Sequence, residues 1–207
     1  MNFLLRDSLI KLVSKYKDDT DLAEKLWKEI EGCYSNFQRH YHNLDHLNEL
    51  LLQLKEIIQS IKDPDSVLFA LYYHDIVYNV SRSDNEEKSA VLAEERMQQL
   101  QVPASVIENC KAHIIATKLH EQTLKSDTNY FIDADLSILG SSPDRYEQYC
   151  DAVRKEYSIY PDFIYKQGRK TILQRLLKMK SIFNTNYFSQ KFEQQARKNL
   201  VSELNVL

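Results

Sequence analysis

The sequence predicts an all-α protein folded as a single-domain helical bundle, and three observations carry that reading. The chain has 207 residues but only 3 glycines and 4 prolines, where average usage would supply about 14 and about 10. Glycine provides the positive φ of hairpin turns, so a β-sandwich or barrel is excluded. Apolar residues recur at three- and four-residue spacing almost throughout, the period of a helix with one buried face. No repeat, low-complexity segment or sharp change of composition marks a second domain.

The elements follow in order. Leu4, Leu5, Leu9, Leu12, Val13 and Tyr16 make a first amphipathic helix, and Arg6 and Asp7 come too early for a secretory core. Leu22, Leu26, Trp27, Ile30 and Cys33 make a second, capped by Thr20 or Asp21 and closed near Gly32. Leu47, Leu50, Leu51, Leu54 and Ile58 are the inward stripe of a third, from about Leu44 to Ile61. Pro64 leads into Ser66–Val80, which is apolar nearly all round and therefore central. Asp84 with Glu87 fits a capping box for the next helix. Pro103 opens another, through Val106, Ile107, Cys110, Ile114 and Ile115. A polar stretch from His120 to Asn129 reads as the one extended loop, followed by Tyr130–Leu139 and a turn at Gly140–Pro143. Helices from Asp144 to Tyr160 and from about Phe163 to Phe183 come next, and a weaker one from Asn186 onward.

Composition excludes several functions. Glycine stands only at 32, 140 and 168, so neither a dinucleotide-binding GxGxxG nor a P-loop can be written. A formal net charge of −3 gives no electrostatic case for wrapping nucleic acid. No apolar run reaches the roughly 18 residues of a membrane span. Cys33, Cys110 and Cys150 are odd in number and scattered, which reads as reduced core thiols in a cytoplasmic setting.

The informative positions are polar groups where burial argues against them. His74 and Asp75 interrupt the most apolar segment of the chain. An ionised carboxylate there must be paired, hydrogen-bonded or bound to a cation, because leaving it alone costs several kcal/mol. His42 and His46 stand four apart, on one helical face, a spacing that lets two imidazoles approach one centre. Alone, either pair has an ordinary reading, a buried ion pair or solvent-facing histidines; together they form an N/O ligand set. Asp133 reads as an N-cap, whereas Asp135, flanked by Leu136, Ile138 and Leu139, is the better inward carboxylate.

The order His46, His74-Asp75, Asp135 resembles the HD-domain metal-dependent phosphohydrolase superfamily, helical bundles with an H…HD…D signature. Arg-His-Tyr-His-Asn-Leu-Asp-His, Tyr-His-Asp-Ile-Val-Tyr, Asp-Asn-Glu-Glu-Lys-Ser-Ala, Ala-Thr-Lys-Leu-His, Asp-Ala-Asp-Leu-Ser-Ile-Leu-Gly, Val-Arg-Lys-Glu-Tyr and Gly-Arg, from Arg39 to about Arg169, together resemble the predicted HD phosphohydrolases of bacteria. The resemblance implies one HD-type domain over 1–207, with a metal-site core at about 39–140 and added helices at about 143–207. It implies His46, His74, Asp75 and Asp135 as ligands of a divalent metal and Asp75 as a residue that orients the attacking water. Mixed N/O donors favour Mn, Fe, Co or Ni, with Mg and Zn open. The segment from Tyr41 to His46 is also similar to that of cyclic-nucleotide phosphodiesterases, which implies His42 as general acid. Lys118 and His120 then become a phosphate contact or second-metal ligand, and Asn85 and Glu86 match a family motif on the substrate side. Arg154 and Arg169 could clamp phosphate, with Glu156 holding one of them.

The expectation is therefore a metal-dependent phosphohydrolase of a small phosphomonoester or phosphodiester, a nucleotide by analogy, with no membrane and no nucleic acid as partner; a homo-oligomer is left open. The alternative is an HD-fold module that binds nucleotide or metal without turnover. Tyr146, Tyr149, Val153, Tyr157 and Tyr160 form a stripe that reads as core, and Lys166–Lys180, with six basic residues and no acid, as a solvated face.

Overall fold

The computed structural model describes residues 3–207; Met1 and Asn2, at the start of the amphipathic first helix, lie outside the described residues. Ten α-helices and two short 3-10 helices make up the described residues, with no strand among them. The all-α expectation holds. No helix of the described residues is long and apolar enough to cross a membrane.

Helix α1 (Phe3–Ser14) packs against α2 (Thr20–Tyr34) and α3 (Leu44–Glu56), and their apolar stripes are buried: Leu5, Leu9 and Leu12, then Leu26 and Ile30, then Leu47 and Leu51. Asp19, rather than Thr20 or Asp21, caps α2 by accepting from the Leu22 N–H at 2.9 Å. α3 stops at Glu56, and a 3-10 turn at Ile58–Ser60 takes the place of its expected last turn.

The apolar segment is central as predicted, but its helix is shorter. α4 (Pro64–Tyr73) buries residues all round and packs against α3, α5 (Asn85–Gln99), α6 (Ala104–Ala116) and α7 (Ser126–Asp135). It ends at Tyr73, not Val80. Arg39 donates to the carbonyls of Asp75 (2.7 Å) and Ile76 (2.8 Å), acceptors that a continuing helix would have used. The capping box at α5 does not form either. Asp84 makes no side-chain bond to the backbone there and pairs with Arg82 and Lys88, while Glu87 reaches Lys118.

Asp133 is a cap for another helix. Near the end of α7, it accepts from the Asn184 N–H, the Thr185 N–H and the Thr185 hydroxyl, each at 2.7 Å, and so binds donors just ahead of α10 (Asn186–Val206). α10 is the longest helix rather than a weak one, because Phe188, Ala196 and Leu200 bury its inner face. The remaining helices are α8 (Pro143–Glu156) and α9 (Asp162–Lys178). The last two helices before α10 are shorter than the pattern suggests, since Tyr157 and Met179 leave helical geometry.

Gly140 ends the 3-10 helix Leu136–Gly140 directly against α10. A Cβ there would stand 2.5 Å from the Phe192 Cβ and 2.8 Å from its carbonyl oxygen. Gly140→Ala is therefore expected to cost about 1–3 kcal/mol by overpacking. Gly32, in exposed α2 with nothing within 4 Å of such a Cβ, should gain about 0.5–1 kcal/mol as Gly32→Ala. Urea unfolding of the two variants checks the opposite signs.

Candidate metal centre

Two helix ends and one helix start bring the donor residues together. Asn43 caps α3, its side-chain oxygen accepting from the Asp45 N–H (2.9 Å) and the His46 N–H (3.3 Å). His46 thus lies in the first turn and is buried, as is His74 at the end of α4. Asp135 ends α7. The Nε2 atoms of His46 and His74 are 3.1 Å apart, and Asp75 Oδ2 is 3.1 Å from His74 Nε2. Asp135 Oδ1 stands 3.3 Å from His46 Nε2 and 3.8 Å from His74 Nε2.

These separations suit a common cation. Donors about 2.1 Å from a six-coordinate ion and at right angles to one another lie about 3.0 Å apart. His46, His74 and Asp75 offer ligand atoms that all lie within 4.8 Å of one another. Asp135 reaches both imidazoles from another side and does not join that mutually close trio. Two neutral imidazoles and two carboxylates would bring a divalent ion to neutrality.

Electrostatics agree with a site that exchanges protons for a cation. Burial pulls the His74 imidazole down, but Asp75 and Asp135 outweigh it and raise its pKa to about 9. Burial pushes the Asp75 carboxyl up, and His74 beside it more than reverses this, leaving it well below the usual range. Asp135 is likewise held low against burial, by bonds from His120 and His46.

His42 precedes α3 instead of sharing a helical face with His46. Its backbone is turned by Arg39, which donates to the His42 carbonyl at 3.3 Å. Glu156 does not hold an arginine, as expected; it holds this histidine. Its Oε1 accepts from the N–H groups of Tyr41 (2.8 Å) and His42 (2.9 Å), and its Oε2 lies 2.7 Å from His42 Nδ1. Tyr78 donates to the same Oε2 at 2.8 Å and stacks on the imidazole, centroids 4.3 Å apart. Burial would lower the His42 pKa, yet the Glu156 bond and the charges of Asp75 and Asp135 raise it above its ordinary value. Nδ1 is thus engaged, and Nε2 is the nitrogen left to act.

The secondary candidates separate. His120, at φ 53° just past the α6 end, places Nε2 2.9 Å from Asp135 Oδ2. Lys118 is bound by Glu87 and the Ser83 carbonyl. Asn85 exchanges bonds with the Asn79 backbone, and Glu86 sits in the first turn of α5, so neither is brought to the donor residues. Arg154 is tied to Asp162 and to the carbonyls of Tyr157 and Tyr160. Arg169 is buried in a two-bond pair with Glu203, at 2.7 and 2.9 Å, and is structural. His113 bonds Ser66 and Thr128 in the core, where burial lowers its pKa to about 4. His40 is exposed.

Three residues of the site were not singled out from sequence: Arg39, Tyr78 and Glu156 in its true role. Glu156 had a signal. It lies three and seven residues after Val153 and Tyr149, so an acid falls on the apolar stripe of α8.

Comparison with protein-family models, with curated proteins and with solved structures returns no match for this chain. Metal uptake is the direct check on the centre. With His74 protonated until about pH 9, binding a cation at neutral pH must expel that proton. Mn²⁺ affinity should therefore rise about tenfold per unit between pH 6 and 8, with proton release visible by calorimetry in buffers of different ionisation heat. Asp75→Ala should cut affinity by about a hundredfold or more and leave helicity intact; unchanged metal content in that variant would remove the assignment.

Proposed function

We propose that this protein is a metal-dependent phosphohydrolase that acts on a small phosphomonoester or phosphodiester. One observation carries the reading: a histidine clamped through Nδ1 by a buried glutamate stands beside four metal-type donors, at the edge of one cavity. A structural polar cluster has no need of the second histidine, whose free nitrogen is oriented but unused. The motif resemblance supports the same chemistry.

His46, His74, Asp75 and Asp135 would hold the ion, Mn, Fe, Co or Ni by donor set, with Mg and Zn also open. A divalent cation there supplies Lewis acidity, polarising a phosphoryl oxygen and acidifying water. The protein's own groups do the rest. Asp75 stays ionised and orients the attacking water. His42 gives the proton on Nε2 to the leaving oxygen as the P–O bond breaks, and Glu156 stabilises the imidazolium before transfer and fixes its ring. The water supplies the oxygen that forms the new P–O bond and the proton that restores His42. Tyr78 stacks on the ring and limits its rotation.

An acid of this kind matters most when the leaving group is poor. His42→Ala should slow Mn²⁺-dependent hydrolysis of an alkyl phosphate by about 10²–10³-fold and of 4-nitrophenyl phosphate by much less, with metal content unchanged. Glu156→Gln should show the same leaving-group dependence in milder form. Equal losses on both esters would overturn the role of His42; metal binding with no hydrolysis of any ester would leave the non-catalytic alternative.

A further inference from the structure

His42 and His120 line a cavity of about 600 Å³ together with residues of α8, α9 and the 3-10 helix Leu136–Gly140, and none of the four candidate ligands lines it. That volume is within the range of pockets that enclose whole small organic ligands. The walls are mainly apolar, with Tyr149, Tyr157, Tyr160 and Tyr165 among them and Leu139 and Leu173 beside these. Several polar groups in these walls are already engaged. The Tyr149 hydroxyl accepts from Arg169 (3.2 Å), the Tyr160 hydroxyl donates to the Val80 carbonyl (3.3 Å), and Thr171 donates to the Gln167 carbonyl. What remains is ring and aliphatic surface and the Tyr165 hydroxyl, which makes no hydrogen bond among the described residues.

Charge points the same way. Of the three lysine and arginine side chains that line the cavity, Lys118 pairs with Glu87 and Arg169 with Glu203. Only Arg175 meets no carboxylate among the described residues, and it donates to the Leu119 carbonyl at the rim. One such cation is a poor match for a polyphosphate chain of about four negative charges, which needs several donors when taken from water. Nor do the walls offer more than the Tyr165 hydroxyl and Arg175 to read the edge of a nucleobase. Leu119, Ile164 and Ile172 are exposed, and all three line the cavity, so its mouth is apolar too.

We propose that this cavity is the leaving-group subsite and that it takes the phosphate ester of a bulky apolar, aromatic alcohol in preference to a nucleotide. The inference rests on the hydrolytic reading above, because the acid that protonates the leaving oxygen marks the side on which the leaving group sits. His42 opens onto this cavity. Hydrolysis then converts the ester and water into the apolar alcohol, released through the greasy mouth, and inorganic phosphate.

Gly168 supplies the test. It lines the cavity on α9, and a Cβ built there meets nothing within 4 Å, so Gly168→Phe fills the space without a backbone clash. Two alkyl esters with poor leaving groups, 2-phenylethyl phosphate and glycerol 3-phosphate, are compared with AMP and ATP on the Mn²⁺-loaded full chain, and 2-naphthol binding is followed by fluorescence. The expected result is a kcat/KM about fiftyfold higher for 2-phenylethyl phosphate than for glycerol 3-phosphate, AMP and ATP poorer still, and a preference that falls at least about tenfold in Gly168→Phe. Saturable 2-naphthol binding should be lost in the same variant, with metal content and helicity unchanged. Turnover without preference for the apolar ester, or with AMP or ATP preferred, overturns the subsite and leaves the hydrolase reading standing. If no ester is hydrolysed but 2-naphthol binds and Gly168→Phe abolishes it, the aromatic subsite stands and the hydrolytic reading falls. Absence of 2-naphthol binding overturns the subsite outright.

Discussion

Asp75 and Asp135 bring two carboxylates into the interior of a helical bundle, and much of the surrounding structure answers that charge. Desolvation alone would drive both to neutrality, yet both are held ionised. His74 between them takes up a proton that an isolated buried imidazole would shed. The core therefore holds an internal counter-ion of the kind a bound cation can replace. An apolar cluster of the same volume would be as stable or more so; what the charges gain is the capacity to bind.

Holding those groups falls to long-range clamps more than to helices. Arg39 takes two carbonyls just past the end of α4, with its guanidinium against the Tyr34 and Tyr78 rings at 4.8 and 5.4 Å from their centroids. Glu156 binds the turn ahead of α3 from 114 and 115 residues away in sequence. Asp133 sits two residues before a candidate ligand and fastens the start of α10. In each case one charged side chain satisfies several backbone groups that a helix end leaves open, so the rigid part of the site is built on caps made in tertiary structure.

The fold class and the donor set were legible because each leaves a local trace. Glycine poverty and the 3.6-residue period survive in any window, and His74-Asp75 stands out against Leu68–Tyr73 by polarity alone. Helix ends were less legible. α4 has the residues to continue to Val80, but Arg39, far back in the chain, takes the Asp75 and Ile76 carbonyls that the continuation would use. Asp84 and Glu87 satisfy the capping-box spacing but find cations in Arg82, Lys88 and Lys118 that lie closer than the backbone. The tyrosine stripe of α8 is only partly core: Tyr146, Tyr149 and Val153 are buried, yet Tyr149 and Val153, with Tyr157 and Tyr160, also line a cavity. Periodicity tells which face points inward, and is silent on whether the interior there is filled.

The close seat of Gly140 on Phe192 has a bearing on the order in which the molecule becomes competent. The 3-10 helix that follows Asp135 gains its packing partner only when α10 lies on it, with Asn199 donating to the carbonyls of Leu139 and Ser141. During synthesis α10 leaves the ribosome only after all four donor residues have been made. A nascent chain would therefore carry all four candidate donors before the segment after Asp135 has its packing partner. Completion of the cluster would then depend on how quickly a helix more than fifty residues downstream packs onto that segment.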